Sequence, residues 1–169
     1  MVLIITHIFY SDPLFDASIN AILNLQKNST EAGRFSMETI SLMFGGEVLL
    51  FIIMILMIVW TSRARAFYYI MMSMVAIWVT SIGKLVYHHP RPYMVEAKIE
   101  VYGCSTEYGD PSGHSLTSSA GLFTILLDFL DVFKDKAPNF VKYSLVFISS
   151  ALVFLVGFSR LYNGDHSMD

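Results

Sequence analysis

Residues 48–60 read VLLFIIMILMIVW, a run without a charge, a glycine or a proline. It has no polar face to turn toward water, so it belongs in lipid or in a protein core. Extended back to Ile40, with Glu47 as its one charge, it reaches the ~20 residues that cross a ~30 Å hydrocarbon layer. Three further stretches have this character: Phe67 to Val86, His114 to Phe133, and Lys142 to Phe158. Lipid offers no partner to an unpaired backbone group, so spans of this length are helices. Trp60, Tyr68, Tyr69, Tyr87 and Tyr143 fall near their ends, where interfacial aromatic belts form. The expected fold is all-α: a multi-pass transmembrane helical bundle.

Composition agrees. Hydrophobic residues make up 54% of the 169 and charged residues 15%, against about 25% charged in soluble domains. A net charge of −3 without a basic cluster excludes nucleic acid as a partner. The single cysteine, Cys104, excludes an internal disulfide and a thiolate-cluster metal site. The length fits one domain, 1–169, with residues 1–39 as an N-terminal interfacial region and 40–169 carrying the spans. In that N-terminal region Phe15, Ile19, Ile22 and Leu23 share the apolar face of an amphipathic helix, and Asn28-Ser29-Thr30 is a glycosylation sequon.

The loops set an orientation. TSRARA carries Arg63 and Arg65, and the third connection carries Lys134, Lys136 and Lys142 against Asp135. Both belong in the cytoplasm by the positive-inside rule. The N-terminal region, the Tyr87–Asp110 loop and the residues after Phe158 then lie outside or in a lumen, where the sequon can be used.

Three polar clusters fall on that outer side: Lys84 with Arg91-Pro92, Pro111-Ser112-Gly113-His114, and Ser159-Arg160 with His166. Together they suit a phosphate group. Lys84, Arg91 and Arg160 supply fixed positive charge, and the fork of Arg91 can grip two oxygens. Pro-Ser-Gly-His opens a helix, whose free N–H groups favour an anion. Ser112 adds a hydroxyl and Gly113 allows close backbone approach. His114 and His166 can move protons or attack phosphorus, and side-chain chemistry alone does not choose between them. No set of metal ligands is evident. His88 and His89 are adjacent and diverge, so they read as loop residues. Glu47 is a candidate buried partner for an unidentified cation. Asp128 and Asp131 sit in the last turns of the third span and read as solvated.

The motifs K-x6-RP, PSGH and SR-x5-H, in this order over residues 40–169, resemble the type 2 phosphatidic acid phosphatase (PAP2) superfamily. That superfamily includes lipid phosphate phosphatases, sphingosine-phosphate phosphatases, glucose-6-phosphatases and vanadium haloperoxidases. The resemblance implies a metal-independent phosphomonoesterase without a cofactor. His166 would form a phosphohistidine and His114 would protonate the leaving alkoxide and then activate water. Lys84, Arg91, Ser112, Gly113 and Arg160 would hold the phosphoryl oxygens. It also implies an integral protein of the endoplasmic reticulum or plasma membrane, with a lumenal or extracellular site and a phosphorylated lipid, of phosphatidate or sphingoid-base type, as substrate. A glucose-6-phosphatase-like activity is the alternative; a vanadate-dependent oxidase is disfavoured, since those relatives are mostly soluble. The family places an Asp four residues after the nucleophile; here Asp169 is three residues on, and is not a motif match. Family members also continue into a further helix, so the chain reads as a fragment or an early-terminated relative. An inactive binding or scaffold protein is the competing class. The Tyr93–Gly109 loop, with Glu96, Lys98, Glu100, Cys104 and Glu107, is the expected seat of specificity.

Overall fold

The computed structural model describes residues 2–45, 47–60, 62–103 and 105–168, with side chains from residue 13 onward apart from 47, 56, 57 and 60. Its regular structure is helical: α1 (Val2–Lys27), α2 (Glu31–Gly45), α3 (Glu47–Trp60), α4 (Arg63–Tyr87), the short α5 (Pro92–Val95), α6 (Gly113–Val132) and α7 (Asn139–Tyr162). Among the described residues, four segments are long and apolar enough to cross a membrane: Glu31–Ile55, Arg63–Val95, Gly113–Val132 and Asn139–Tyr162. The expected all-α, multi-pass membrane fold is the one observed.

The first span begins at Glu31 rather than Ile40. Two of the charged residues that argue against a span in this stretch, Arg34 and Glu38, are satisfied by protein. Arg34 pairs with Glu100 at 3.0 Å, and Glu38 pairs with Arg160 at 3.2 Å. Arg34, Glu38, Ser41 and Gly45 recur at helical spacing and so share one face of α2, which packs on α7.

Small residues let the helices approach closely, as membrane packing requires. Gly45 is buried where α2 meets α6 and α7; a Cβ there would sit 2.5 Å from Val156 Cγ1 and 3.0 Å from the His114 carbonyl oxygen. The Thr117 hydroxyl lies 2.5 Å from the Gly45 carbonyl oxygen and bridges the same crossing. Leu49, Ile53 and Tyr69 form a buried cluster with Leu122 and Ile125 against it. Large apolar side chains such as Trp78, Phe147 and Phe154 point outward. A soluble monomer rarely exposes so much apolar surface, whereas lipid covers it at no cost.

Chain direction alternates, so α4 and α7 end where α6 begins. At the opposite end Arg65 lies 3.7 Å from Asp128, joining α4 to α6, so Asp128 is paired rather than simply solvated. The amphipathic stripe of α1 turns toward protein. Phe15, Ser18 and Ile22 are buried, Phe15 meets the His89 ring edge-on, and the Ser18 hydroxyl accepts from the Met168 amide at 2.8 Å.

Candidate active site

The last turn of α4 carries Lys84. The helix stops at His88, which adopts a left-handed conformation and donates its N–H to the Lys84 carbonyl. His88 meets Tyr108 and His89 meets Phe15, so the two rings diverge as expected of loop residues. Arg91 comes next as the N-cap of α5, with Pro92 fixing the first helical φ. Its guanidinium is buried. Nε donates to the Glu107 carbonyl at 2.8 Å, Nη1 donates to the Asp165 carbonyl at 3.2 Å, and Nη1 also lies 3.4 Å from His166 Nε2.

Ser112 caps α6 and accepts from the Ser115 amide and hydroxyl. Gly113 and His114 then occupy the first turn, at the positive end of the helix dipole.

At the end of α7, Arg160 is clasped between two carboxylates: Glu38 Oε2 at 3.2 Å from Nη1, and Asp165 Oδ2 at 3.0 Å from Nη2. The Ser41 hydroxyl adds a contact at 3.3 Å. Buried Arg160 Nε has no partner among the described residues. The chain then doubles back at Gly164, whose φ of 75° suits glycine and whose missing Cβ would lie 2.8 Å from Ile99. This turn delivers Asp165 to Arg160 and points His166 inward. His166 Nδ1 lies 2.7 Å from the Gly109 carbonyl oxygen. A carbonyl only accepts, so Nδ1 carries the proton and Nε2 keeps its lone pair.

Burial sets the protonation of the loop groups. It lowers His166 well below the ordinary histidine range, and the neighbouring Arg91 and Arg160 charges push the same way. Burial raises Asp165 to about 6, although Arg160 pulls it down. The hydrogen bond and charge of Lys84 hold Glu107 below the usual carboxylate range.

Lys84, Arg91, Gly113, His114, Arg160 and His166 line one cavity of about 280 Å³ together with Glu38, Gly103, Ser105, Glu107 and Asp165. Six of the seven residues singled out in the sequence are thus brought together. Ser112 is not part of that wall and serves as the cap behind it. Sequence reasoning missed Glu38, which pairs with Arg160, and Asp165; the Glu47 side chain, a candidate partner for a cation, lies outside the described residues. The helical spacing of Arg34, Glu38 and Ser41 was the available signal. Gly109 was missed because a backbone acceptor leaves no trace in residue type. Asp169 also lies outside the described residues.

A second, mostly apolar cavity of about 490 Å³ adjoins the first, running between α2–α3, α4 and α6 past Leu42, Val48, Leu50 and Ile77. Lys84, Glu107, Gly113 and His114 line both.

The family model of the PAP2 superfamily matches residues 65–169, more than half of the chain. The chain belongs to the PAP2 superfamily. As a PAP2 protein it is a phosphatase, which the three motifs implied. Among solved structures it is similar to a transmembrane PAP2-type phosphatidylglycerolphosphate phosphatase from Bacillus subtilis, with a TM-score of 0.78 and 17% sequence identity. The likeness covers 98% of this chain and 80% of that one. No curated protein matches by sequence.

Proposed function

We propose that the chain is a metal-independent lipid phosphate monoesterase working through a phosphohistidine, with its site on the extracytoplasmic face. The observation that carries this reading is the pair of adjoining cavities: one rich in cations and imidazoles, the other apolar and between spans. A phosphate fits the first and an acyl or sphingoid chain the second, which supports a lipid over a soluble sugar phosphate.

The chemistry uses the groups that line the polar cavity. Nε2 of His166 attacks phosphorus, and the P–O bond to the leaving alcohol breaks. His114 gives its proton to the departing alkoxide. Neutral His114 then takes a proton from water, whose oxygen attacks the phosphohistidine and frees inorganic phosphate and His166. Charge building on the equatorial oxygens is met by Lys84, Arg91, Arg160 Nε and the Gly113 region of the helix end, which Ser112 holds in place as its cap. The three fixed cations provide the charge stabilisation that the reading requires without a metal. Clustering of Arg63, Arg65, Lys134, Lys136 and Lys142 at the other end of the bundle supports an outward-facing site.

The test is phosphate release in detergent with EDTA from a panel of lipid and sugar phosphates, comparing the chain with His166→Ala. Release from lipid phosphates that vanishes in His166→Ala is expected, with a phosphorylated protein trapped by rapid quench into alkaline detergent, since the P–N bond of phosphohistidine is acid-labile. Release only from sugar phosphates overturns the substrate class. No release from the chain overturns catalysis on this panel and favours a binding role.

A further inference from the structure

The three cations of the site are not equally encumbered. Arg91 donates to two carbonyls and faces His166. Arg160 holds carboxylates that are buried or nearly so: the Asp165 side chain is 2% exposed and that of Glu38 21%. Lys84 pairs with Glu107, whose side chain is 66% exposed. Here alone among these pairs the cation is anchored in the wall while the carboxylate reaches in from solvent.

The backbone of Glu107 is fixed independently of its side chain. Its carbonyl accepts from Arg91 Nε at 2.8 Å and its amide donates to the Ser105 hydroxyl at 3.3 Å. Tyr93 braces the same loop by accepting from the Ser105 amide at 3.0 Å. The carboxylate can therefore leave Lys84 by side-chain rotation alone. It also stands where the polar and apolar cavities meet, since Glu107 and Lys84 line both.

We propose that Glu107 is a displaceable counter-anion: its carboxylate occupies the oxyanion position on Lys84 and exchanges with the incoming phosphate group. The proposal rests on the phosphate-site reading above. With Glu107 in place, Lys84 is neutralised and the passage between the cavities is bridged. Phosphate replaces the carboxylate on Lys84, and the carboxylate turns into solvent, where its charge is well hydrated. After hydrolysis it returns and competes inorganic phosphate off the site. Glu107 thus sets affinity for substrate and product alike, from outside the reacting atoms.

Calorimetric titration of the full chain in detergent with inorganic phosphate tests this, beside KM for a lipid phosphate. Glu107→Gln removes the competing charge at an exposed position. It is expected to tighten phosphate binding and lower KM by roughly two- to fivefold, the range of exposed ion pairs. In a Lys84→Met background the same substitution should change neither quantity. Unchanged or weaker phosphate binding in Glu107→Gln, or an equal gain without Lys84, overturns the proposal while leaving the site reading intact. If neither the native chain nor Glu107→Gln binds phosphate, the site reading fails and this proposal falls with it.

Discussion

Nδ1 of His166 lies 2.7 Å from the carbonyl oxygen of Gly109, and that bond determines which nitrogen faces the cavity. A carboxylate in this place would both orient the ring and stabilise its cation; a carbonyl orients it with a weaker electrostatic pull. With Arg91 and Arg160 nearby and burial besides, the ring is held neutral and its Nε2 lone pair is available.

Gly109→Ala should disturb that bond. The new Cβ would lie 3.3 Å from the Pro90 carbonyl oxygen and 3.4 Å from Arg91 Cγ, so the backbone must give. A small displacement of a reacting group is costly, and kcat should fall about tenfold or more with a smaller change in KM. Nitrogen NMR of the His166 ring should show the Nδ1–H form in the native chain and a mixture in the variant. Native kcat together with an unmixed tautomer would refute the assignment.

Asp165 makes stability depend on pH. Its folded value of about 6 exceeds the ordinary 3.8, so the folded chain holds this proton more tightly. The associated stability is fully present below the unfolded value and is lost as pH rises toward 6, on the order of 3 kcal/mol in all. His166, with its lowered value, acts oppositely and loses stability as pH falls below the ordinary histidine range. Because both chains keep His166, the Tm difference between native and Asp165→Asn isolates Asp165. Native should gain on the variant as pH drops from about 7 to about 4, and a flat difference would count against the buried carboxylate.

Gly45→Ala should open the bundle where α2 meets α6 and α7. Contact at 2.5 Å with Val156 and 3.0 Å with the His114 carbonyl leaves no room for a methyl group. A loss of about 1–3 kcal/mol is expected from overpacking, read from denaturation in detergent. Activity should fall as well, because His114 is on the strained side. A variant as stable and active as native would show that α2 and α6 can part freely.

Sidedness can be read by labelling. In a Cys104→Ser background, Lys98→Cys and Lys136→Cys place exposed thiols at opposite ends of the bundle. A membrane-impermeant maleimide applied to sealed right-side-out vesicles should label the first at once and the second only after permeabilisation. The reverse order would turn the site to the cytoplasm.

Much of this architecture is legible in the sequence because lipid is a demanding solvent. It forces helices, fixes their length and drives charges to their ends, so Lys84, Arg91, His114, Arg160 and His166 can be placed on one side from the span boundaries alone. The N-terminal limit of the first span is hidden for the complementary reason. Arg34 and Glu38 look incompatible with a membrane helix until Glu100 and Arg160, distant in sequence, neutralise them. Ser112 reads as a phosphate ligand when its visible bonds are those of a helix cap, two uses of one hydroxyl that residue type does not separate. The Tyr93–Gly109 loop stands out as a whole, yet only the fold distinguishes Glu107, which faces a cation of the site, from Glu100, which is tied to Arg34 and Gln26.

On the proposed reading, the two adjoining cavities also bear on where the products go. On the proposed reading, the alcohol fragment is already seated among apolar side chains and drifts back into the leaflet, while phosphate is left facing water. Hydrolysis and phase separation become one event, so the back reaction needs two molecules to find each other again from different solvents. A site so placed, on the proposed reading, hands each product directly to the solvent that favours it, so neither has to cross the other's phase to leave.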